Sequence, residues 1–173
     1  MKLLKAGKVI TIVMEVIAII GAVLGLSVVV MAFVNPQLLL ENGTFNINGI
    51  DITKPLHLIE NPSLPMALVF LTGVVTMSIT ALMVHRMHGI IVETMAGRPF
   101  QPCTVKWMKQ IGYCAVAVPL LGAVMSIVAM LLSVDGLHAT LDLGGLLMGV
   151  LVLCLTQVFA YGLELQKDVD ELL

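Results

Sequence analysis

Charged residues are scarce in this sequence, and they avoid four long stretches of it. Asp, Glu, Lys and Arg make up 12% of the 173 residues and hydrophobic residues 59%, whereas about 25% of a typical soluble domain is charged. The charge-poor stretches are 9–34, 65–84, 111–134 and 143–161. About twenty apolar residues in a helix cross a hydrocarbon core of about 30 Å. The sequence therefore predicts an integral membrane protein with four spanning helices and no second, soluble domain.

Paired cysteines and catalytic motifs are also missing. Cys103 falls in a predicted cytoplasmic loop, where thiols stay reduced, and Cys114 and Cys154 fall inside predicted helices. The sequence contains no glycine-rich phosphate loop, no HExxH pattern and no paired-cysteine motif, which are the short patterns that carry a chemical mechanism. We therefore expect a protein that is not an enzyme and has no catalytic residue, cofactor or metal.

The predicted fold is an all-α, antiparallel bundle in which four helices cross the membrane. With their flanking turns, the helices are predicted at about 9–34, 65–95, 104–134 and 142–165, within one domain of residues 1–173. The connections are an outer loop at 35–64, an inner loop at 96–103 and a turn between the last two helices, and a tail follows at 166–173. These predicted helices use most of the chain for a single membrane domain.

The positions of Lys and Arg predict the orientation, because cytoplasmic loops carry an excess of these residues. Eight of the nine lie before the first helix, between the second and third helices, or after the fourth. Only Lys54 lies in the outer loop. We expect a multi-pass protein of the bacterial cytoplasmic (inner) membrane, with both termini in the cytoplasm.

The outer loop contains a hairpin signal. Polar and apolar residues alternate from Thr44 to Thr53 around Asn48-Gly49. Asn-Gly suits the two central positions of a type I′ turn, both of which need positive φ. The sequence therefore predicts a small extracytoplasmic β-hairpin between the first two helices.

Ionisable side chains close to a membrane span need a partner. Counted down antiparallel neighbours, Glu15 in the first helix and Arg86 in the second reach nearly equal depth, so we predict an ion pair between them. A proton-coupled role for Glu15 is the alternative. His85 and His88 share a helix face because they are three residues apart, and we interpret them as interfacial histidines rather than metal ligands.

Two further patterns in the helices have both a packing and a functional interpretation. Hydroxyls at a spacing of four can bond their own helix or line a polar seam, and they occur at Thr72, Thr76 and Thr80. Pairs of glycines at a spacing of four let helices approach closely, within the bundle or in a homo-oligomer. They occur at Gly21 and Gly25 and again at Gly145 and Gly149.

Two segments resemble a known family. One is Gly97-Arg98-Pro99-Phe100, followed by Val105-Lys106 and Ile111-Gly112; the other runs from Phe159 through Gly162, Leu165 and Gln166 to Asp168 and Asp170. Both are similar to motifs of the bacterial membrane proteins catalogued as domain of unknown function 2975. The resemblance implies four membrane helices and no established activity. It also implies membrane-linked regulation, because members are often encoded beside a small helix-turn-helix regulator.

The first functional hypothesis is a non-enzymatic interaction protein that holds a small cytoplasmic partner, plausibly such a regulator, and does not itself bind nucleic acid. The docking residues would be Gly97, Arg98, Pro99, Phe100, Gly162, Leu165, Gln166, Asp168 and Asp170. Alternatively, Phe100 packs against the end of the fourth helix and closes the bundle. The second hypothesis is an immunity or small-solute transport protein that uses the outer hairpin or the threonine seam. The lipid bilayer is the partner common to both.

Overall fold

A computed structural model describes residues 2–35, 37, 46–47, 50–51, 63–97, 101–131 and 142–171. Four helices account for nearly all of them: α1 (Lys2–Val34), α2 (Ser63–Met95), α3 (Pro102–Leu131) and α4 (Leu143–Glu171). All four are long and apolar enough to cross a membrane. Their exposed surfaces carry large aliphatic side chains such as Ile17, Val124 and Leu147, and lipid tails are as apolar as these side chains. The prediction of a multi-pass, four-helix membrane protein is confirmed.

Two helices extend six or seven residues beyond their predicted bounds. α1 begins at Lys2, although the first apolar run starts near residue 9, and α4 continues to Glu171, although its predicted end was residue 165. Both additions contain good helix formers such as Leu, Lys and Glu, and neither contains a proline. Much of the predicted tail at 166–173 is therefore helical rather than a separate segment.

The outer loop contains a short antiparallel ladder. Strand β1 (Asn46–Ile47) pairs with strand β2 (Ile50–Asp51), with Asn46 opposite Asp51 and Ile47 opposite Ile50. This register leaves the Asn-Gly pair between the strands, as a two-residue hairpin connection requires. The Asn48-Gly49 turn itself and most of the remaining loop lie outside the described residues.

The helices contribute to two compact units. Unit 1 comprises Met1–Ile19, Ile79–Pro119 and Leu143–Leu173, and unit 2 comprises Ile20–Ser78 and Leu120–Asp142. In unit 2, α1 packs on α2 through small residues: a methyl group at Gly25 would lie 2.8 Å from Val74 Cγ2, and one at Gly21 would lie 3.7 Å from Met77 Sδ. Glycines at these positions let the two helices approach closely.

In unit 1, α3 and α4 pack as antiparallel neighbours. A methyl group at Gly112 would lie 2.6 Å from Leu153 Cδ2, and one at Gly149 would lie 2.6 Å from Val116 Cγ2 and 2.9 Å from Val116 N. The approach at Gly149 is therefore backbone to backbone. Gly25 and Gly149, the second members of the two predicted glycine pairs, are both used for packing within the chain.

Candidate functional site

Helix α2 presents two different polar faces inside unit 1. One face contains His85 and His88 and packs on α1, whereas the other contains Gly89 and packs on Trp107 of α3. Arg86 lies three residues before Gly89 and therefore shares its face of the helix. Successive residues of a helix are turned by about 100°, so neighbours in sequence, such as His85 and Arg86, serve different interfaces. Together with the polar residues that they face, these side chains form the polar cluster of unit 1.

The face toward α1 is bonded to Glu15. His85 Nδ1 lies 3.0 Å from Glu15 Oε1, so the ring nitrogen donates to the carboxylate. The side chain of His85 is 60% exposed and that of Glu15 is 26% exposed. The structure therefore pairs Glu15 with His85 and not with the predicted partner Arg86, which is the next residue and is turned by about 100° around the helix.

A second hydrogen bond lies one turn away along the same interface. The Thr11 hydroxyl donates to Lys8 O at 2.9 Å, and Thr11 Oγ1 also lies 3.2 Å from His88 Nδ1. A hydroxyl has one proton to donate, and here the carbonyl of Lys8 receives it. His88 must then donate through Nδ1–H to Thr11, which fixes the proton of this ring on Nδ1.

These bonds define the register of α1 on α2 in unit 1. Steps of four along α1 match steps of three backward along α2, where the contacts are Gly7 with Ile91, Thr11 with His88 and Glu15 with His85. Matched steps of this kind are the ridge spacing of closely packed helices. The pairing is antiparallel, as the sequence predicted.

The face toward α3 leaves polar atoms without bonds. Arg86 Nε and Gln110 Oε1 are buried and have no hydrogen-bond partner. The α2–α3 register is set by Gly89, where a methyl group would lie 2.9 Å from Trp107 Cζ3. Arg86 lies one turn before Gly89 on α2, and Gln110 lies one turn after Trp107 on α3. In antiparallel helices, the two residues therefore occupy the same level of the interface.

Thr104 is the most completely buried polar side chain of this interface. It is 0% exposed, and its hydroxyl has no hydrogen-bond partner. It lies in the first turn of α3, where Val105 N–H donates to Gln101 O at 3.3 Å. On α2, Glu93 lies four residues beyond Gly89, at the level of this turn. Sequence analysis missed Thr104 and Gln110, although both are polar residues next to an apolar run.

Helix α2 is followed by Gly97, which has the backbone conformation of a helix terminator. Its φ is +78°, a left-handed conformation that suits glycine because it has no Cβ. Gly97 N–H donates to Thr94 O at 3.1 Å, and Ala96 N–H to Val92 O at 3.0 Å, which satisfies carbonyls at the helix end. Arg98, Pro99 and Phe100 lie outside the described residues.

The threonines of α2 are engaged rather than free. The Thr72 hydroxyl donates to Leu68 O at 2.8 Å, four residues earlier, as expected for a hydroxyl that bonds its own helix. Thr76 and Thr80 also have interaction partners. For Thr72, this geometry agrees with the structural interpretation of the threonine pattern.

The C-terminal part of α4 exposes an apolar stripe. Tyr161, Leu165 and Val169 are spaced by four residues and are 64%, 49% and 55% exposed. Gln166 and Asp168, two of the predicted docking residues, are also exposed, and Gly162 is half-buried. The side chain of Asp170 lies outside the described residues. We call Tyr161, Leu165 and Val169 the terminal stripe.

Metal ligands do not converge in the part of the chain that the structure describes. No group of three or more His, Cys, Asp and Glu side chains there could hold a metal ion. His85 and His88 each use Nδ1 for a separate hydrogen bond, to Glu15 and to Thr11.

A comparison with protein families identifies the chain. Residues 48–172 match the model of the family described as protein of unknown function (DUF2975). The chain belongs to this family. The match extends from just before strand β2 through α2, α3 and α4, and it includes both segments on which the sequence resemblance was based. No curated protein and no solved structure matches the chain.

Proposed function

We propose that this protein is a non-enzymatic membrane anchor that docks a small cytoplasmic protein through the terminal stripe and the loop between α2 and α3. The terminal stripe carries the proposal. α4 has 29 residues, whereas about twenty residues suffice to cross the bilayer. About nine residues, 163–171, therefore remain to project beyond a span that begins at Leu143; they include Leu165 and Val169 of the stripe, and Tyr161 lies at the membrane boundary.

The orientation of the docking surface follows from charge. Lys5 and Lys8 lie at the start of α1, and Lys106 and Lys109 lie at the start of α3. If all four helices cross the membrane, both of these ends lie on the same side as the end of α4. The preference of such residues for the cytoplasmic side supports cytoplasmic termini in a bacterial inner membrane. The hairpin would then lie on the extracytoplasmic side.

Charge also selects the kind of partner. Glu164 and Asp168 lie three residues after Tyr161 and Leu165, respectively. They are therefore beside the stripe on the helix surface. An anionic membrane surface repels such a helix, so the stripe is poorly suited to lie on lipid head groups. A protein with an apolar groove and a basic rim is complementary to it, and small helix-turn-helix regulators, which bind DNA through basic surfaces, are the class that the family resemblance favours.

Crosslinking in cells tests the surface and identifies the partner. A photo-crosslinking residue at Leu165 should form an adduct with one small cytoplasmic protein, whereas the same residue at Leu147, within the apolar span, should not. The identified protein, once purified, should bind the full chain in detergent or nanodiscs.

Substitutions then test the energetics of docking. Leu165→Ser combined with Val169→Ser should weaken that binding by about tenfold or more, because exposed apolar anchors dominate interfaces. Lys167→Gln, on the opposite side of the helix, should leave affinity unchanged or slightly increase it. Phe100→Ala tests the loop in the same assay. Unchanged affinity in the stripe variant would overturn the docking role of α4.

Transport of a small solute along the threonines of α2 receives less support. The Thr72 hydroxyl is bonded within its own helix, so it has less capacity to coordinate a passing solute. The Glu15–His85 pair and the hairpin remain the features on which a transport or immunity function would depend.

A further inference from the structure

The α2–α3 interface of unit 1 combines burial with unused hydrogen-bonding capacity. Arg86 Nε, Gln110 Oε1 and the Thr104 hydroxyl are all buried by protein atoms and bonded to none. An unsatisfied buried polar group costs about 1–3 kcal/mol, and such groups in native structures are usually bonded to ordered water. Three of them on one interface therefore indicate a ligand.

We infer that ordered water molecules occupy this interface, one bridging Arg86 Nε to Gln110 Oε1 and another bound to the Thr104 hydroxyl. The two groups of the first bridge have complementary hydrogen-bonding roles. Arg86 Nε–H is a donor and Gln110 Oε1 is an acceptor, so a water molecule can accept from one and donate to the other. A buried water molecule makes about three hydrogen bonds, and backbone carbonyls of the two helices can supply the rest.

The register supports the first bridge. The contact of Gly89 with Trp107 fixes the level of α2 against α3. Arg86 lies three residues before Gly89, and Gln110 lies three residues after Trp107, which is the same direction along the bundle when the two helices are antiparallel. Arg86 Nε and Gln110 Oε1 therefore lie at the same level of the interface, and neither is bonded to a protein atom. A water molecule can bridge a donor and an acceptor that are placed in this way.

Thr104 defines a separate position on the other side of Trp107. It lies three residues before Trp107, whereas Gln110 lies three residues after it, so the indole ring separates the two water positions. Glu93 approaches the level of Thr104 from α2. A carboxylate there disfavours a bound anion, so a neutral molecule that both donates and accepts suits this position better.

Two buried threonines of unit 1 provide a matched test. Thr104 and Thr156 are 0% and 1% exposed, but the Thr156 hydroxyl donates to Val152 O of its own helix at 2.8 Å. Valine has nearly the same shape as threonine without the hydroxyl. If water binds Thr104, Thr104→Val should lower the folding equilibrium constant by about tenfold, whereas Thr156→Val should change it by less than about threefold.

The sign of the effect decides the inference for Thr104. The folding constant of the full chain would be measured by steric trapping in bicelles, with Thr104→Ser as the variant that keeps the hydroxyl and should fold like the parent. If the hydroxyl is unbonded, Thr104→Val removes a buried polar group without loss and the folding constant rises. A rise, or no change, would overturn the water at this position.

A double-mutant cycle tests the bridge between Arg86 and Gln110. Methionine replaces each side chain with an apolar one of similar length, singly and together. Because a water bridge needs both groups, the double variant should be about fivefold more stable than the sum of the single effects predicts. A crystal structure of the full chain in lipid, at a resolution that shows water, should place a molecule within hydrogen-bond distance of both atoms. Additive effects together with an empty gap would refute the bridge.

Discussion

At the scale of single residues, the position of a side chain around its helix decides its partner. His85 and Arg86 are adjacent in sequence, yet His85 donates a hydrogen bond to Glu15 on α1, whereas Arg86 Nε is buried without a hydrogen-bond partner. A rotation of about 100° per residue separates the two directions. The polar cluster of unit 1 thus comprises two interfaces. In one, the polar side chains are hydrogen-bonded to each other; in the other, buried polar atoms have no hydrogen-bond partner in the protein.

The partner of Glu15 can be tested by energetic coupling. In a double-mutant cycle, Glu15→Gln and His85→Ala should show a coupling energy of about 0.5 kcal/mol, small because the histidine is largely exposed. Glu15→Gln and Arg86→Met should be additive, since the structure pairs Glu15 with His85 and leaves Arg86 Nε without a hydrogen-bond partner. The folding free energy of the four variants and the parent provides the measurement. A larger coupling of Glu15 to Arg86 than to His85 would contradict the observed pairing.

The spanning helices were predictable from the sequence, whereas the pairing of their side chains was not. Span length and apolar character are set by the thickness of the bilayer, and any aliphatic residue satisfies them. The Glu15–Arg86 prediction matched depths along the two helices correctly to within one residue. It failed because an apolar run contains no information on rotation about the helix axis, which Gly7, Thr11 and their contacts on α2 determine.

The buried atoms of the α2–α3 interface were missed for a related reason. Thr104 and Gln110 lie among Lys106, Trp107 and Lys109, where polar residues are expected to face water. Only the contact of Trp107 with Gly89 shows which face of α3 is covered. The one signal available in the sequence was Gly89. It is a small residue on α2, and a large aromatic residue, Trp107, follows the short loop to α3.

At the scale of elements, small residues determine how closely helices approach. The buried apolar residues among those described include three alanines, Ala18, Ala32 and Ala67, and glycines occur at the contacts in both units. In lipid, the hydrophobic effect does not drive helices together, so close packing of small residues contributes instead. Large aliphatic side chains are left for the outer surface, the reverse of a soluble bundle.

The backbone contact at Gly149 leads to a prediction about α4. Gly149→Ala would place a methyl group 2.9 Å from Val116 N and 3.1 Å from the carbonyl carbon of Ala115, and backbone atoms cannot move aside as a side-chain tip can. We expect a loss of about 1–3 kcal/mol of folding free energy, typical of overpacking.

Gly73 is the matched control for this substitution. It also lies within a helix, and a methyl group there would meet no atom within 4 Å. Gly73→Ala should be neutral or stabilise the protein by up to about 1 kcal/mol, because alanine is the better helix former. Both variants would be compared with the parent by thermal unfolding in the same detergent. Equal stability of the two would show that α3 and α4 are further apart at Gly149 than the structure describes.

At the scale of the whole molecule, an even number of spans constrains the topology. If all four helices cross the bilayer, the two ends of the chain and the loop between α2 and α3 lie on the same side. The docking proposal requires this arrangement, because both of its proposed surfaces, the α2–α3 loop and the end of α4, must be accessible to the same cytoplasmic protein.

Cysteine labelling in intact cells tests this topology. In a chain whose Cys103, Cys114 and Cys154 are replaced by Ala, a membrane-impermeant maleimide should label Asp51→Cys from outside the cell. It should label Lys167→Cys only after the membrane is permeabilised, because the end of α4 lies in the cytoplasm in the proposed orientation. Restoring Cys103 alone, at the start of α3, provides a second cytoplasmic position. Labelling of Lys167→Cys in intact cells would show that the orientation is the reverse of the proposed one, so that no cytoplasmic partner could reach the terminal stripe. Labelling of Lys167→Cys and Cys103 from opposite sides would mean that α3 and α4 do not both span the membrane.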